Sequence, residues 1–235
     1  MANIKKKLVR RRILDMQNLP TLSDNVTKLM RMLRDESTPI EDVIAQISRD
    51  QVLVAEIIRI INSGLYGMSQ EIQSLDQAVA LVGFRKVWEL LTAVSASDVI
   101  SGKDRTLWLH SYSCSAMMQQ LIKEEKLKCS PLMPIIALTH DIGKVVLMLY
   151  NQTTYRMVAS QVKEQRIQQH ILEEKMLKVN HGEAGCWLLE TWEMAEEQCQ
   201  TVFLHHADHV PGDYTLHVAL MRIVDYCDCI ARKLP

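Results

Sequence analysis

Aromatic residues are scarce. Phe, Trp and Tyr make up 5% of the 235 residues, too few for a β-sandwich, whose core leans on aromatic and β-branched side chains. Neither charge is in excess: 27 Lys and Arg face 28 Asp and Glu, a formal net charge of −1, so the chain as a whole has no nucleic-acid bias. No CxxC pair occurs among Cys114, Cys129, Cys186, Cys199, Cys227 and Cys229. The CxC of Cys227 and Cys229 is not a metal clip, because helical neighbours two apart point in different directions. The cysteines are expected to be reduced and buried, in a cytoplasmic protein. No run reaches the roughly 18 consecutive apolar residues of a membrane span. No apolar segment follows the basic N-terminus, so a signal peptide is not expected.

What is present suits helix packing. Apolar residues make up 48% and Met is common at 13, enough for a genuine core. Lys5, Lys6, Lys7, Arg10, Arg11 and Arg12 form one basic strip. It reads either as a docking strip for nucleic acid or acidic lipid or, better, as a short solvated helix or linker with Ile4, Leu8 and Leu14 as a sparse apolar face.

The apolar period is helical almost throughout. Thr38-Pro39-Ile40-Glu41 predicts a capping box and helix start, followed by Val43, Ile44 and Ile47. Val54, Ile57, Ile58 and Ile61 form the next apolar face, stopped at Asn62-Ser63-Gly64. Ser74-Leu75-Asp76-Gln77 predicts another capped helix, ending at Gly83, and an amphipathic helix is expected from Phe84 to about Val99. Ser101-Gly102-Lys103-Asp104 reads as a boundary. Beyond it helices are expected near 105–126, 131–141, 144–165, 168–178, 181–192, 195–208 and 214–232, with Gly143 as an interruption. The expectation is an all-α, two-lobed helical bundle: a basic helix or linker over 1–18, a first lobe over 19–103 and a second over 104–235.

All eight histidines lie in the second lobe. The series His110, His140-Asp141, His181, His205-His206 and Asp225 spreads over separate predicted helices, and bundle metal sites are built by such convergence. Imidazoles with carboxylates suit one or two divalent ions such as Zn, Mn, Fe, Ni or Mg. With the aspartate as bridge, such ions could polarise a phosphate and generate hydroxide near neutral pH. His170, His209 and His217 read as lone surface or capped residues, and Asp228 as solvated.

The chain resembles the HD-related output domain (HDOD) family, a branch of the metal-dependent HD phosphohydrolase superfamily, from about Leu19 to about Asp225. Leu19-Pro20-Thr21-Leu22 resembles the family's opening, and Asp50-Gln51-Val52-Leu53 its "DPxL" stretch with Gln51 replacing proline. Asn62-Ser63-Gly64-Leu65-Tyr66-Gly67 matches "NSxxYG", the most diagnostic segment. Ile72 to Gly83 resembles the family's stretch beyond that signature. In the second lobe, His140-Asp141-Ile142-Gly143-Lys144 is similar to "HDIGK". Glu173, His181 and Gly182 to Trp192 are similar to "ExxxxxxxHxxxGxxLLxxW", with Ala195 where proline is common, and His205-His206 matches "HH".

The resemblance implies an HD-like second lobe and a bacterial signal-transduction output domain. Its partners would be signalling proteins, and an upstream receiver domain is common in that family. It also implies that His110, His140, Asp141, His181, His205, His206 and Asp225 form a nearly full metal set of the HD-GYP phosphodiesterase kind. Lys144 would stand where that group places its proton donor. Thr106 occupies the place of a glutamate in three-metal enzymes, and Ala207 to Tyr214 lacks the "GYP" pattern. Regulation is therefore the leading expectation, with hydrolysis of a nucleotide or phosphoester as the alternative. A third option, nucleic-acid binding through residues 5–12, would show as salt-dependent affinity.

Overall fold

The computed structural model describes residues 2–22, 24–35, 37–62, 71–83, 91, 99–100, 104–130, 132–165 and 167–232. Every regular element among them is a helix, as expected from the sequence period. The chain divides into two compact units, Thr21–Asp98 on the one hand and Met1–Pro20 with Val99–Pro235 on the other.

The smaller unit contains α2 (Asp24–Arg34), α3 (Ile40–Ile47), α4 (Gln51–Asn62) and α5 (Leu75–Val82). Val43 and Ile47 of α3, and Ile57 and Ile61 of α4, are buried one helical turn apart. The capping box expected at Thr38 does not form. Pro39 itself is the N-cap of α3, without a side-chain cap, and the Thr38 N–H donates instead to the Asp35 carbonyl at 2.9 Å. Ser74 does cap α5, its hydroxyl accepting from the Gln77 N–H at 3.2 Å, while the Gln77 side chain accepts from the Gln73 N–H at 2.9 Å. At the end of α4 the Asn62 amide forms a pair with Ile72: Nδ2 donates to its carbonyl and Oδ1 accepts from its N–H, each at 2.8 Å. Ser63 to Gly67, all of the helix expected over 84–99 but residues 91 and 99, and the boundary at Ser101-Gly102-Lys103 lie outside the described residues.

In the larger unit α1 (Ala2–Leu14) packs on α11 (His181–Thr191). The solvated helix or linker expected over 1–18 is thus part of the fold. Val9 and Ile13 are buried. Lys6 meets Glu183 at 2.5 Å, and Arg10 meets Glu190 at 2.7 Å with its guanidinium 5.8 Å from the Trp187 ring. The Trp192 indole N–H then donates to the Pro20 carbonyl at 3.1 Å. Two of the cations that made the strip look like a docking surface are spent inside the unit.

The rest of the unit is α6 (Arg105–Glu124), α7 (Met133–Thr139), α8 (Ile142–Tyr150), α9 (Gln152–Gln165), α10 (Gln169–Leu177), α11, α12 (Glu196–Leu204) and α13 (Thr215–Arg232), with a short 3₁₀ turn at Gly212–Tyr214. Asp104 caps α6, its carboxylate accepting from the Thr106 and Leu107 N–H groups at 2.8 and 3.1 Å; such a cap contributes about 1 kcal/mol. Leu107, His110, Ser111, Cys114 and Met118 then form its buried face. The single helix expected over 144–165 is two, because Asn151 leaves helical geometry at φ −153° and its side chain accepts from the Thr154 N–H at 3.0 Å to start α9.

Met133–Tyr150 is apolar enough for a span, with a mean hydropathy of 1.4, but 78% of it is buried in the fold and it breaks at His140-Asp141. The break precedes Gly143, which the sequence suggested as the interruption and which lies inside α8. Glycine is required there by packing: a Cβ would fall 1.8 Å from the His181 carbonyl oxygen and 2.5 Å from the Gly185 nitrogen. Among the cysteines Cys114, Cys186 and Cys199 are buried, but Cys227 is exposed and Cys129 and Cys229 half-buried, short of the burial expected for all of them.

Candidate metal centre

Four of the five candidate histidines, His110, His140, His181 and His205, are anchored through Nδ1 and turn Nε2 inward. His110, on the buried face of α6, lies 2.7 Å through Nδ1 from an Asp228 oxygen. His140, at the end of α7, donates Nδ1–H to the Ala137 carbonyl at 2.8 Å. His205, at the end of α12, does the same to the Val202 carbonyl at 2.5 Å. His181 opens α11 and meets Glu173 through Nδ1 at 2.6 Å, while its backbone N–H donates to the same carboxylate oxygen at 2.8 Å. A carbonyl or carboxylate only accepts, so in the neutral ring the proton sits on Nδ1 and leaves the lone pair on Nε2. Metal-binding histidines are held in this way.

Local sequence explains the placement. Lys178 adopts a left-handed φ of 67° and ends α10. Asn180 then opens α11 with a capping box, its side chain accepting from the Glu183 N–H at 3.0 Å while the Asn180 N–H donates to the Glu183 carboxylate at 3.3 Å. That start puts His181 in the first turn, beside the break that carries His140 and Asp141. On α13, Asp225 and Asp228 are three residues apart and share the side that faces α6.

Asp141 lies at the centre. Its Oδ2 is 3.5 Å from Nε2 of both His110 and His140, and its Oδ1 is 3.2 Å from Nε2 of His181. Lys144, one turn along, reaches Oδ2 at 2.6 Å. Asp225 Oδ1 lies 3.2 Å from His110 Nε2 and 3.8 Å from His140 Nε2. On the other side His206 Nε2 is 3.0 Å from His181 Nε2, and the His205 and His206 rings are 4.0 Å apart between centroids. The candidate residues His110, His140, Asp141, His181, His205, His206 and Asp225 therefore meet in one place, with Lys144 at its edge.

The electrostatics stem from burial and these neighbours. Burial pushes Asp141 toward its neutral form, but Lys144, His140, His181 and His110 outweigh it and hold the carboxyl well below its ordinary range. Burial likewise opposes the charge on Asp225, which the neighbouring His110 and His140 keep ionised. Burial, with His181 and His140 nearby, pulls His205 down to about 3. Burial and the neighbouring His205 also pull His206 down. These imidazoles are neutral bases near pH 7, the form a metal ion takes.

The donor set passes a direct test of fit for divalent ions. Nε2 of His140 and Nε2 of His205 are buried without any hydrogen-bond partner. A lone pair left bare in an interior is costly, and an ion in each donor group would use one of them. Donor atoms gather in two groups, one of His110, Cys114, His140 and Asp225 and one of His181, His205 and His206.

Several residues escaped the sequence reading. Asp228, expected in solvent, is 3% exposed and held by Arg232 at 2.8 Å; its spacing from Asp225 was the available signal. Glu173 belonged to the matched pattern but had no assigned role. Gln169 donates to its other oxygen at 2.8 Å. His170, read as a lone residue, stacks on His206 with centroids 4.4 Å apart and planes at 10°. Thr106 is exposed, one turn before His110.

The geometry has parallels among known proteins. An uncharacterized protein of Treponema pallidum (strain Nichols) is 28% identical over 205 residues, covering 84% of this chain and 39% of the relative. The chain thus spans about two fifths of that relative's length. A crystal structure of an HDOD domain protein with unknown function from Geobacter sulfurreducens has 26% identity and a TM-score of 0.81, covering 100% of this chain and 80% of that one. A Shewanella amazonensis SB2B structure, provisionally named a phosphohydrolase, has 17% identity and a TM-score of 0.80, covering 97% and 82%; at that identity it speaks for the fold alone. The HDOD domain model matches residues 19–208, which takes in the smaller unit, most of the larger one and every site residue except Asp225. With the all-helical architecture and the His140-Asp141 break, this match places the protein in the HDOD domain family.

Proposed function

We propose that this protein is a bacterial signalling output module whose larger unit holds one or two divalent metal ions and whose helical surfaces engage partner proteins. The observation that carries the reading is the position of Asp141, with one oxygen beside His110 and His140 and the other beside His181. Around it His110, His140 and Asp225 would hold one ion, and His181, His205 and His206 a second. Divalent ions there would supply Lewis acidity and acidify bound water. The protein's own groups do the rest. Asp228 and Glu173 fix the ligand tautomers, Lys144 sets the charge on Asp141, and burial keeps His205 and His206 neutral. Free thiols at six positions suit a cytoplasmic setting.

A second reading, hydrolysis of a phosphoester or nucleotide, draws support from Lys144, 2.6 Å from Asp141 and suitably placed to protonate a leaving oxygen. Thr106, in the place where three-metal enzymes carry a glutamate, weighs against it. Elemental analysis of protein purified without chelator or histidine tag tests the first reading: stoichiometric transition metal, lost in Asp141→Ala, supports it, and metal-free protein that takes none up overturns it. Turnover of a nucleotide and cyclic-dinucleotide panel, abolished by Asp141→Ala, would make the second reading the correct one.

A further inference from the structure

We infer that Cys114 is itself a metal ligand, so that the two halves of the centre differ in chemistry. The half built from His110, His140 and Asp225 becomes a mixed nitrogen, sulfur and oxygen site for a thiophilic ion such as zinc, iron(II) or cobalt(II). The half built from His181, His205 and His206 stays all-imidazole. This rests on the proposed metal centre and adds a residue that neither the histidine series nor the aspartates account for.

Geometry carries it. Cys114 lies one helical turn after His110 on the buried face of α6, so both side chains project to the same side. Its Sγ is 3.8 Å from each ring nitrogen of His110 and 3.8 Å from the Val224 carbonyl, weak contacts that leave the thiol uncommitted. The sulfur and the donor atoms of His110, His140 and Asp225 all lie within 4.8 Å of one another. Metal–sulfur bonds of about 2.3 Å and metal–nitrogen bonds of about 2.0–2.1 Å put tetrahedral donors about 3.6 Å apart. The separations of 3.2 Å for His110 to Asp225 and 3.8 Å for His140 to Asp225 fall around that value; the Cys114 sulfur, as far from Nδ1 as from Nε2 of His110, lies beside the ring and would join the set by a turn about its Cα–Cβ bond.

An independent observation points to the same place: His140 Nε2, fully buried and unpartnered, belongs to this donor group. Ligation breaks the S–H bond as the sulfur–metal bond forms, and the proton passes to buffer. Cys229 is a different case. Its thiol lies 3.5 Å from Asp225 Oδ1 and is half-buried, so it donates to a ligand rather than acting as one. Hard ions such as magnesium gain nothing from a thiolate, so the sulfur also sets which ion this half prefers.

Cobalt(II) loading of the full chain provides the test. Expected are stoichiometric binding, a thiolate-to-cobalt charge-transfer band in the near ultraviolet, and a sulfur scatterer at about 2.3 Å by cobalt-edge X-ray absorption of the wild type. Cys114→Ser should lose the band and bind cobalt on the order of 10–100-fold more weakly, a loss no smaller than outer-shell changes produce. Cys229→Ser should keep the band. Should Cys114→Ser fail to fold, the wild-type absorption measurement decides alone. Bound cobalt with no sulfur neighbour, or a band that survives Cys114→Ser, overturns the inference and leaves the metal centre standing. Failure of the wild type to bind cobalt, zinc or iron(II) at all overturns both.

Discussion

Gly143 and the His181 carbonyl occupy space that no other residue type could share with them, since an added Cβ would fall 1.8 Å from the oxygen. The contact joins the break after His140-Asp141 to the first turn of α11, so it sets how far His181 stands from Asp141. Gly143→Ala should push these two segments apart. Overpacking of this kind costs about 1–3 kcal/mol or more, and here the obstacle is backbone. Thermal unfolding should show that loss, and metal titration should show weakened binding. Unchanged metal affinity in a folded Gly143→Ala variant would mean that the contact does not position the site.

Asp228 acts on the centre through His110. Its carboxylate holds Nδ1 at 2.7 Å and is itself held by Arg232. Asp228→Ala leaves every candidate ligand in place but frees the imidazole to turn or change tautomer. Metal affinity should fall on the order of 10–100-fold with the helical circular-dichroism signal retained. Equal affinity in wild type and variant, by competition with a chromophoric chelator, would show that Asp228 serves only packing.

The N-terminal helix adds an ionic contact with a definite pH signature. Burial disfavours the charge on Lys6, but the hydrogen bond and charge of Glu183, with Glu174, outweigh it and raise the lysine above its ordinary 10.5. A raised lysine contributes stability that is fully present below pH 10.5 and is lost as pH climbs through the higher folded value. The pair is one-third exposed on the lysine side, so its worth is small, about 1 kcal/mol or less. Wild-type stability should decline above pH 10.5, and Lys6→Met should flatten that decline. A double-mutant cycle with Glu183→Gln measures the coupling; a cycle that sums to zero would leave the docking of α1 to Val9, Ile13 and the contacts of Arg10.

Much of this was legible in the sequence, and the rest was hidden for identifiable reasons. Helical period revealed α3, α4 and α6 because their apolar residues recur on one side. It could not reveal the break at Asn151, where apolar residues continue on both sides and only a side-chain cap divides α8 from α9. The histidine series and Asp225 stood out because metal ligands are few residue types in separate segments. Asp228 and Glu173 did not, since a carboxylate acting one contact behind the ligands carries no signal of its own. Only spacing marked Asp228, three residues after Asp225, and Cys114, four after His110. The strip from Lys5 to Arg12 misled because charge counts ignore which face is turned inward; Lys6 and Arg10 point at Glu183 and Glu190.

Lys144 separates stability from function at the centre. Its ammonium sits 2.6 Å from Asp141 Oδ2, and the neighbouring Asp141 raises it despite burial. Removing it as Lys144→Met leaves the Asp141 carboxylate buried with only imidazoles around it. Breaking a buried pair from one side typically costs about 3–5 kcal/mol, so the metal-free variant should unfold at markedly lower temperature. A divalent ion compensates the same carboxylate, so adding zinc or cobalt should restore more stability to the variant than to wild type, through the usual linkage of binding to unfolding. Thermal unfolding with chelator and with metal reads both effects. If metal stabilises the two proteins equally, Lys144 and the ion do not act on a common group, and the place of Asp141 at the heart of the centre is lost. If the rescue occurs while panel turnover vanishes, Lys144 serves chemistry as well as charge balance.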